Sequence, residues 1–164
     1  MSRTCQIFRQ SKVSTTLIAD LPKRIEECFT QIGLKVSNEI KVLEPPNSAW
    51  DKSRGQYKAD KIVENACKQA SDKICLYLLE DDAYSGTLNF VFGVAHRGQG
   101  CMVTLYRLND DPDFVYKECV HELGHVFGLG HCTLPCVMTF SNSVAEAHMK
   151  NMGFCSACQV KLSK

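Results

Sequence analysis

The segment HELGHVFGLGH at residues 121–131 constrains this chain more than any other. His121 and His125 are four residues apart, so on a helix both rings leave one face and can grip a single ion from consecutive turns. Glycine tolerates the left-handed backbone that ends a helix, and Gly128 stands where such a turn is needed. The turn would bring His131 back as a third nitrogen ligand. Three protein ligands leave one tetrahedral position to water, the mark of a catalytic rather than a closed structural zinc ion. Glu122, next to the first ligand, stands where a carboxylate could take that water's proton. The competing reading is a buried amphipathic helix whose histidines only make hydrogen bonds. It has to explain why three of the five histidines in the chain fall in this segment.

At 164 residues the chain is long enough for one domain with its own core. Its apolar content of 45% and charged content of 23% are ordinary for a soluble globular protein. A net charge of +1 offers no argument for nucleic acid or an anionic membrane as a partner. MSRTCQIFRQSKVST at the start lacks the long apolar run of a signal peptide or spanning helix, so a cytoplasmic monomer is expected.

Residues 5–9 read as a first strand. Leu21–Ile32 reads as a helix, with Pro22 in its first turn, an apolar stripe through Ile25, Cys28, Phe29 and Ile32, and Gly33 at its end. Leu34–Leu43 reads as a strand, EPPNS (44–48) as a breaker, and Tyr57–Ala70 as a helix with Ile62, Val63, Ala66 and Cys67 inward. Lys73–Leu79 is a nearly continuous apolar run, the pattern of a central strand covered on both faces. A loop at 80–86 precedes two further strands, Thr87–Ala95 and Cys101–Leu108, joined by a glycine-rich turn in which His96 is a loop residue. Asp111 or Asp113, around Pro112, can cap the helix carrying the histidine pair, whose buried side holds Val115, Cys119, Leu123 and Val126. One helix near Val144–Asn151 is expected in the tail. The alternation predicts an α/β (α+β) fold, a mixed twisted sheet with packed helices. Residues 1–128 would be a sheet-and-helix part ending in the active-site helix, and 129–164 a smaller C-terminal part. The zinc would lie in a cleft between them.

Ten cysteines need a reason. Cys5, Cys28, Cys67, Cys75, Cys101 and Cys119 stand mostly among apolar neighbours and read as small buried hydrophobes with reduced thiols. Cys132, Cys136, Cys155 and Cys158 differ: a C-x3-C and a C-x2-C in one short tail have the spacing of a closed four-thiolate zinc site. Such a site would staple the tail to the segment holding His131. Two disulfides, four unligated thiols, or a redox pair at Cys155 and Cys158 remain the alternatives.

HELGHVFGLGH followed by Met138 resembles the metzincin clan of zinc peptidases. HELGHVFGLGHC, CVM and CSAC, with RGQYKAD (54–60) and LNFVFGVA (88–95) upstream, resemble the archaemetzincins more narrowly. That resemblance implies two zinc ions. The catalytic one would be held by His121, His125 and His131, with Glu122 as general base and Met138 in a turn beneath it. The structural one would be held by Cys132, Cys136, Cys155 and Cys158. It also implies a metzincin-like fold and a peptide or protein substrate that adds as a strand along Leu88–Ala95. Two rival readings stand beside it: a zinc hydrolase of non-peptide amides or an aminopeptidase, and a non-catalytic zinc-stabilised binding module.

Overall fold

A computed structural model describes residues 3–164. In chain order the elements are β1 (Thr4–Arg9), α1 (Leu21–Cys28), β2 (Lys35–Val36), β3 (Lys41–Val42), β4 (Trp50–Asp51), β5 (Gln56–Lys58), α2 (Ala59–Gln69), β6 (Ile74–Leu79), β7 (Ala83–Tyr84), β8 (Gly93–His96), β9 (Gly100–Thr104), α3 (Pro112–Val126), α4 (Val144–Met149) and α5 (Ser156–Ser163). The main sheet has the order β2-β1-β6-β9-β8, with β3 also on β1. Every pairing in it is parallel except β8 against β9. A small second sheet runs β4-β5-β7.

Strand side chains alternate between faces, and here each face has its own core. Ile7, Leu76, Leu78, Cys101 and Val103 meet α1 and α3 on one side. Phe8, Cys75, Tyr77, Leu79 and Met102 meet Ala59, Ile62, Val63 and Ala66 of α2 on the other. β6 is buried along its whole length, as an apolar run between two parallel neighbours should be. β8 is the odd strand, antiparallel and at the sheet edge. It therefore keeps one hydrogen-bonding side free of the main sheet, beside α3.

Several elements are shorter than the sequence patterns predict, each for a local reason. The first helix stops at Cys28, and a 3-10 turn over Thr30–Ile32 carries the chain to Gly33 at φ 69°. The strand expected over 34–43 breaks into β2 and β3, because the Gln6 amide reaches between them and donates to Glu39 O at 2.8 Å. The helix expected from Tyr57 starts at Ala59, because Gln56–Lys58 pairs into the small sheet instead. That sheet also takes Ala83–Tyr84 from the expected loop.

The strand expected over Thr87–Ala95 shrinks to Gly93–His96. Upstream, Arg54 Nη2 donates to Leu88 O at 2.8 Å and Gln56 Nε2 to Asn89 O at 2.9 Å. Carbonyls held by side chains are not free for a ladder. β9 ends at Thr104, after which Asn109 and Asp110 turn the chain with φ of 56° and 52°. The tail holds a second helix, α5, that the patterns do not predict.

Gly100 marks the tightest point of the core. A Cβ there would sit 2.3 Å from Cys75 Sγ and 2.7 Å from Cys75 O. Gly100→Ala is expected to destabilise the chain by roughly 1–3 kcal/mol, the usual cost of overpacking, read as a lower urea midpoint with an unchanged m-value. A midpoint equal to wild type would contradict the packing.

Candidate active site and metal centres

α3 begins where the sequence places its cap: Asp111 Oδ1 accepts the Asp113 N–H at 3.0 Å and Pro112 occupies the first turn. The helix lies against β8 and β9 and is buried on nearly every side. Lys117, Glu118, His121 and Glu122 are all buried with its apolar residues. Four polar groups inside one helix need partners, and those partners define the site.

His121 Nδ1–H donates to Val137 O and His125 Nδ1–H donates to Leu129 O, both at 2.7 Å. A carbonyl can only accept, so each ring is fixed in one tautomer with its Nε2 lone pair free. The two Nε2 atoms lie 3.2 Å apart. Gly128, at φ 100°, ends the helix and its N–H bonds His125 O at 3.0 Å. The reversal brings the His131 ring centroid to 4.9 Å from that of His125 and 5.5 Å from that of His121. One nitrogen from each ring lies within 4.8 Å of the others. Burial pulls His121 down to about 3, with the Lys150 charge as the next cause, and burial also lowers His125 and His131. All three are therefore neutral at pH 7, the form that binds metal. Convergent lone pairs on neutral imidazoles fit a zinc ion with an open position.

Glu122 is 7% exposed, and burial pushes its carboxyl up to about 8, with the charge of Glu118 adding to the shift and Lys150 opposing it. It shares a cleft of about 370 Å³ with the three histidines. Residues 91–95 line one wall, and Phe140, Ser141, Asn142 and Lys150 line the other. Met138 lies directly under the motif: a Cβ on Gly124 would come 2.5 Å from its Sδ. The small residue inside the helix thus admits the methionine.

Three contributors escape a reading of patterns alone. Gly93 of β8 is one, since a Cβ there would come 2.6 Å from the Met102 carbonyl oxygen of β9 and 2.8 Å from Glu122 Cγ. The others are Glu118 and Lys150, whose Oε1 and Nζ lie 3.1 Å apart behind His121. They form a buried ion pair. Lys117 Nζ meanwhile donates to the carbonyls of His148 and Lys150. Lys150 stands beyond the end of α4, more than thirty positions from Glu118, so no local spacing signals the pair.

Cys132, Cys136, Cys155 and Cys158 come together as predicted, with one sulfur from each within 4.8 Å of the others. All four are free thiols. Cys136 Sγ accepts the N–H of Cys155 at 3.3 Å and of Met138 at 3.5 Å. Backbone donors aimed at a sulfur stabilise a thiolate, the form a zinc ligand takes. Cys155 opens α5, and the backbone N–H of Cys158 draws its thiol down to about 7. Of the other six cysteines, Cys5, Cys75, Cys101 and Cys119 are buried, while Cys28 and Cys67 are half-buried. His96 is not a loop residue: it ends β8 and pairs with Asp60 at 2.8 Å. No helix among the described residues is long and apolar enough to cross a membrane.

Comparison with known proteins bears on this arrangement directly. The model of peptidase family M54 matches residues 4–164. An archaemetzincin of Methanopyrus kandleri is 38% identical over 157 residues, covering 90% of this chain and 89% of its own. One from Nanoarchaeum equitans is 39% identical over 120 residues, covering 73% and 70%. The crystal structure of the Methanopyrus kandleri archaemetzincin superposes with a TM-score of 0.85 at 32% identity, over 97% of this chain and 92% of that one. The archaemetzincin of Archaeoglobus fulgidus, solved in complex with malonate, gives 0.81 at 31% identity over 96% and 99%. A zinc-compatible histidine cluster on a matching fold and a family match along nearly the whole chain converge: this protein belongs to peptidase family M54, the archaemetzincins, and is a zinc metallopeptidase.

Proposed function

We propose that the chain hydrolyses internal peptide bonds in a cleft between β8 and the segment after Met138, with Glu122 as the general base. The observation that carries this reading is the pair of Nδ1–H donations from His121 and His125, which leave both Nε2 atoms convergent and free. His121, His125 and His131 would hold the catalytic zinc. Bound there, zinc lowers the pKa of a water toward about 7 and polarises the scissile carbonyl.

The rest is done by the chain. Glu122 accepts a proton from the attacking water and returns it to the leaving amine, a role suited to a buried carboxyl whose affinity for protons is raised to near neutrality. Gly93 leaves space for that carboxylate. The free edge of β8 pairs with an extended substrate by strand addition. The pairing strand is Gly93–His96, shorter than the segment the sequence suggests. Cys132, Cys136, Cys155 and Cys158 would hold a second, structural zinc, which would make 129–164 a stapled subdomain on 1–128. The reduced thiols suit a reducing compartment such as the cytoplasm.

Glu122→Ala is expected to keep its zinc and lose about 10²–10⁴-fold in kcat/KM on an internally quenched peptide. Metal analysis and hydrolysis on the same sample test this, and a fully active variant removes Glu122 from the mechanism. If the zinc-replete wild type cleaves nothing across proteins, blocked peptides and aminoacyl amides, the binding-module reading gains. Gly93→Ala should lower kcat about 10- to 100-fold with unchanged zinc content, since a small displacement of a catalytic group has effects of that order. An unchanged kcat would show that Glu122 does not depend on that space.

The two metals separate by mutation. His125→Ala is expected to lose about one zinc equivalent and retain the far-ultraviolet spectrum of wild type. Cys155→Ser is expected to lose the other and render the tail sensitive to protease. Equal unfolding in both variants would contradict the division of labour.

A further inference from the structure

Outside the cleft lining and both metal clusters, Cys67 of α2 and Cys75 of β6 hold their sulfurs 3.1 Å apart. We propose that these two thiols are a reversible oxidation site, closing to a disulfide when the protein meets hydrogen peroxide or a peroxide of similar size. No other pair among the six cysteines outside the tail has sulfurs recorded in contact.

The two positions differ in the way a reactive and a resolving thiol must. Cys67 is half-buried and opens onto a surface cavity of about 430 Å³. Cys75 is fully buried in the middle of the sheet and cannot meet an oxidant itself. Lys68, Lys73, Glu64 and Asp72 ring the same cavity, so its mouth is polar and wet. Either sulfur can donate to the other; the contact draws the Cys67 thiol below its ordinary range, whereas Cys75 is pushed far above it by the same contact and by burial. Thiolate character and exposure thus fall on one sulfur and the stored proton on the other.

The chemistry balances with peroxide alone. Cys67 thiolate attacks one peroxide oxygen, the O–O bond breaks, and water leaves after taking up a proton, which gives Cys67 sulfenic acid. Cys75 sulfur then attacks Cys67 sulfur. The S–S bond forms as the S–O bond breaks, and the departing hydroxide takes the Cys75 proton as a second water. Two thiols are oxidised and one peroxide is reduced. The sulfurs need to approach by about 1 Å to reach bonding distance.

Gly100 presents no side chain to the pair, where a Cβ would meet Cys75 Sγ at 2.3 Å and Cys67 Sγ at 3.0 Å. The resulting cross-link would join α2 to the central strand of the sheet. Gly100 pairs with Cys75 on one side and His96 of β8 on the other, so the bond would form beneath the turn that joins the two strands of the cleft-side hairpin.

The test uses the full-length, zinc-loaded wild-type chain and needs no activity. It is treated with stoichiometric hydrogen peroxide, alkylated at acid pH, digested without reduction and mapped by mass spectrometry. The expected product is a Cys67–Cys75-linked peptide pair about 2 Da lighter than the sum of its reduced parts, reversed by dithiothreitol and absent from Cys67→Ser and Cys75→Ser. A map in which Cys67 remains a thiol, advances to sulfinic or sulfonic acid, or links to another cysteine overturns the proposal. Because the readout is the bond itself, failure here leaves the reading of the cleft untouched, and failure of the cleft reading leaves this result standing.

Discussion

Two donated protons organise this molecule. His121 and His125 each give an Nδ1–H to a main-chain carbonyl of the segment that follows their helix, at Val137 and Leu129. Each bond fixes a tautomer, aims a lone pair, and ties the helix to the chain that must bring His131 alongside. The strand order, the glycine turn and the thiol cluster all bear on whether those two carbonyls stand in the right place. The geometry of ligand and outer partner is set together, which is how metal sites commonly gain their order.

The sheet supplies the rigid half. Its two parallel pairings among β1, β6 and β9 are enclosed by two separate apolar layers, and only the antiparallel β8 is left at the margin beside the histidines. A hydrolytic cleft needs both a fixed backbone to align an extended chain and an opening to admit it. An edge strand on a well-buried sheet meets both needs. The remaining wall comes from residues after Met138, which are held by side chains more than by ladders.

How much of this could be read from residues alone depends on how local each cause is. The histidine triad, its glycine turn, the helix cap at Asp111 and the four clustered thiols follow from spacing over a few residues, and the structure brings each group together. The all-buried strand at Ile74–Leu79 follows from its unbroken apolar run. The expected strand over 34–43 breaks, and the stretch over 87–92 stays unpaired, because side chains distant in sequence, Gln6 in one case and Arg54 with Gln56 in the other, occupy their carbonyls. No periodicity reports such partners. Nothing local marks Gly93 either, since its reasons, the Met102 carbonyl of β9 and the Glu122 side chain of α3, lie on other elements. Glu118 and Lys150, separated by more than thirty positions, pair only once the tail has folded over α3.

Lys117 carries a consequence of its own. α4 has six residues, about half of what an isolated helix needs to persist in water. Its final carbonyls end on the ammonium of Lys117, which α3 delivers from within the protein. The tail therefore borrows its regular structure from a template laid down earlier in the chain, while that template relies on the tail for the oxygen atoms that orient its rings. The order of α4 and the aim of the two rings are therefore coupled across the boundary between the helix and the tail.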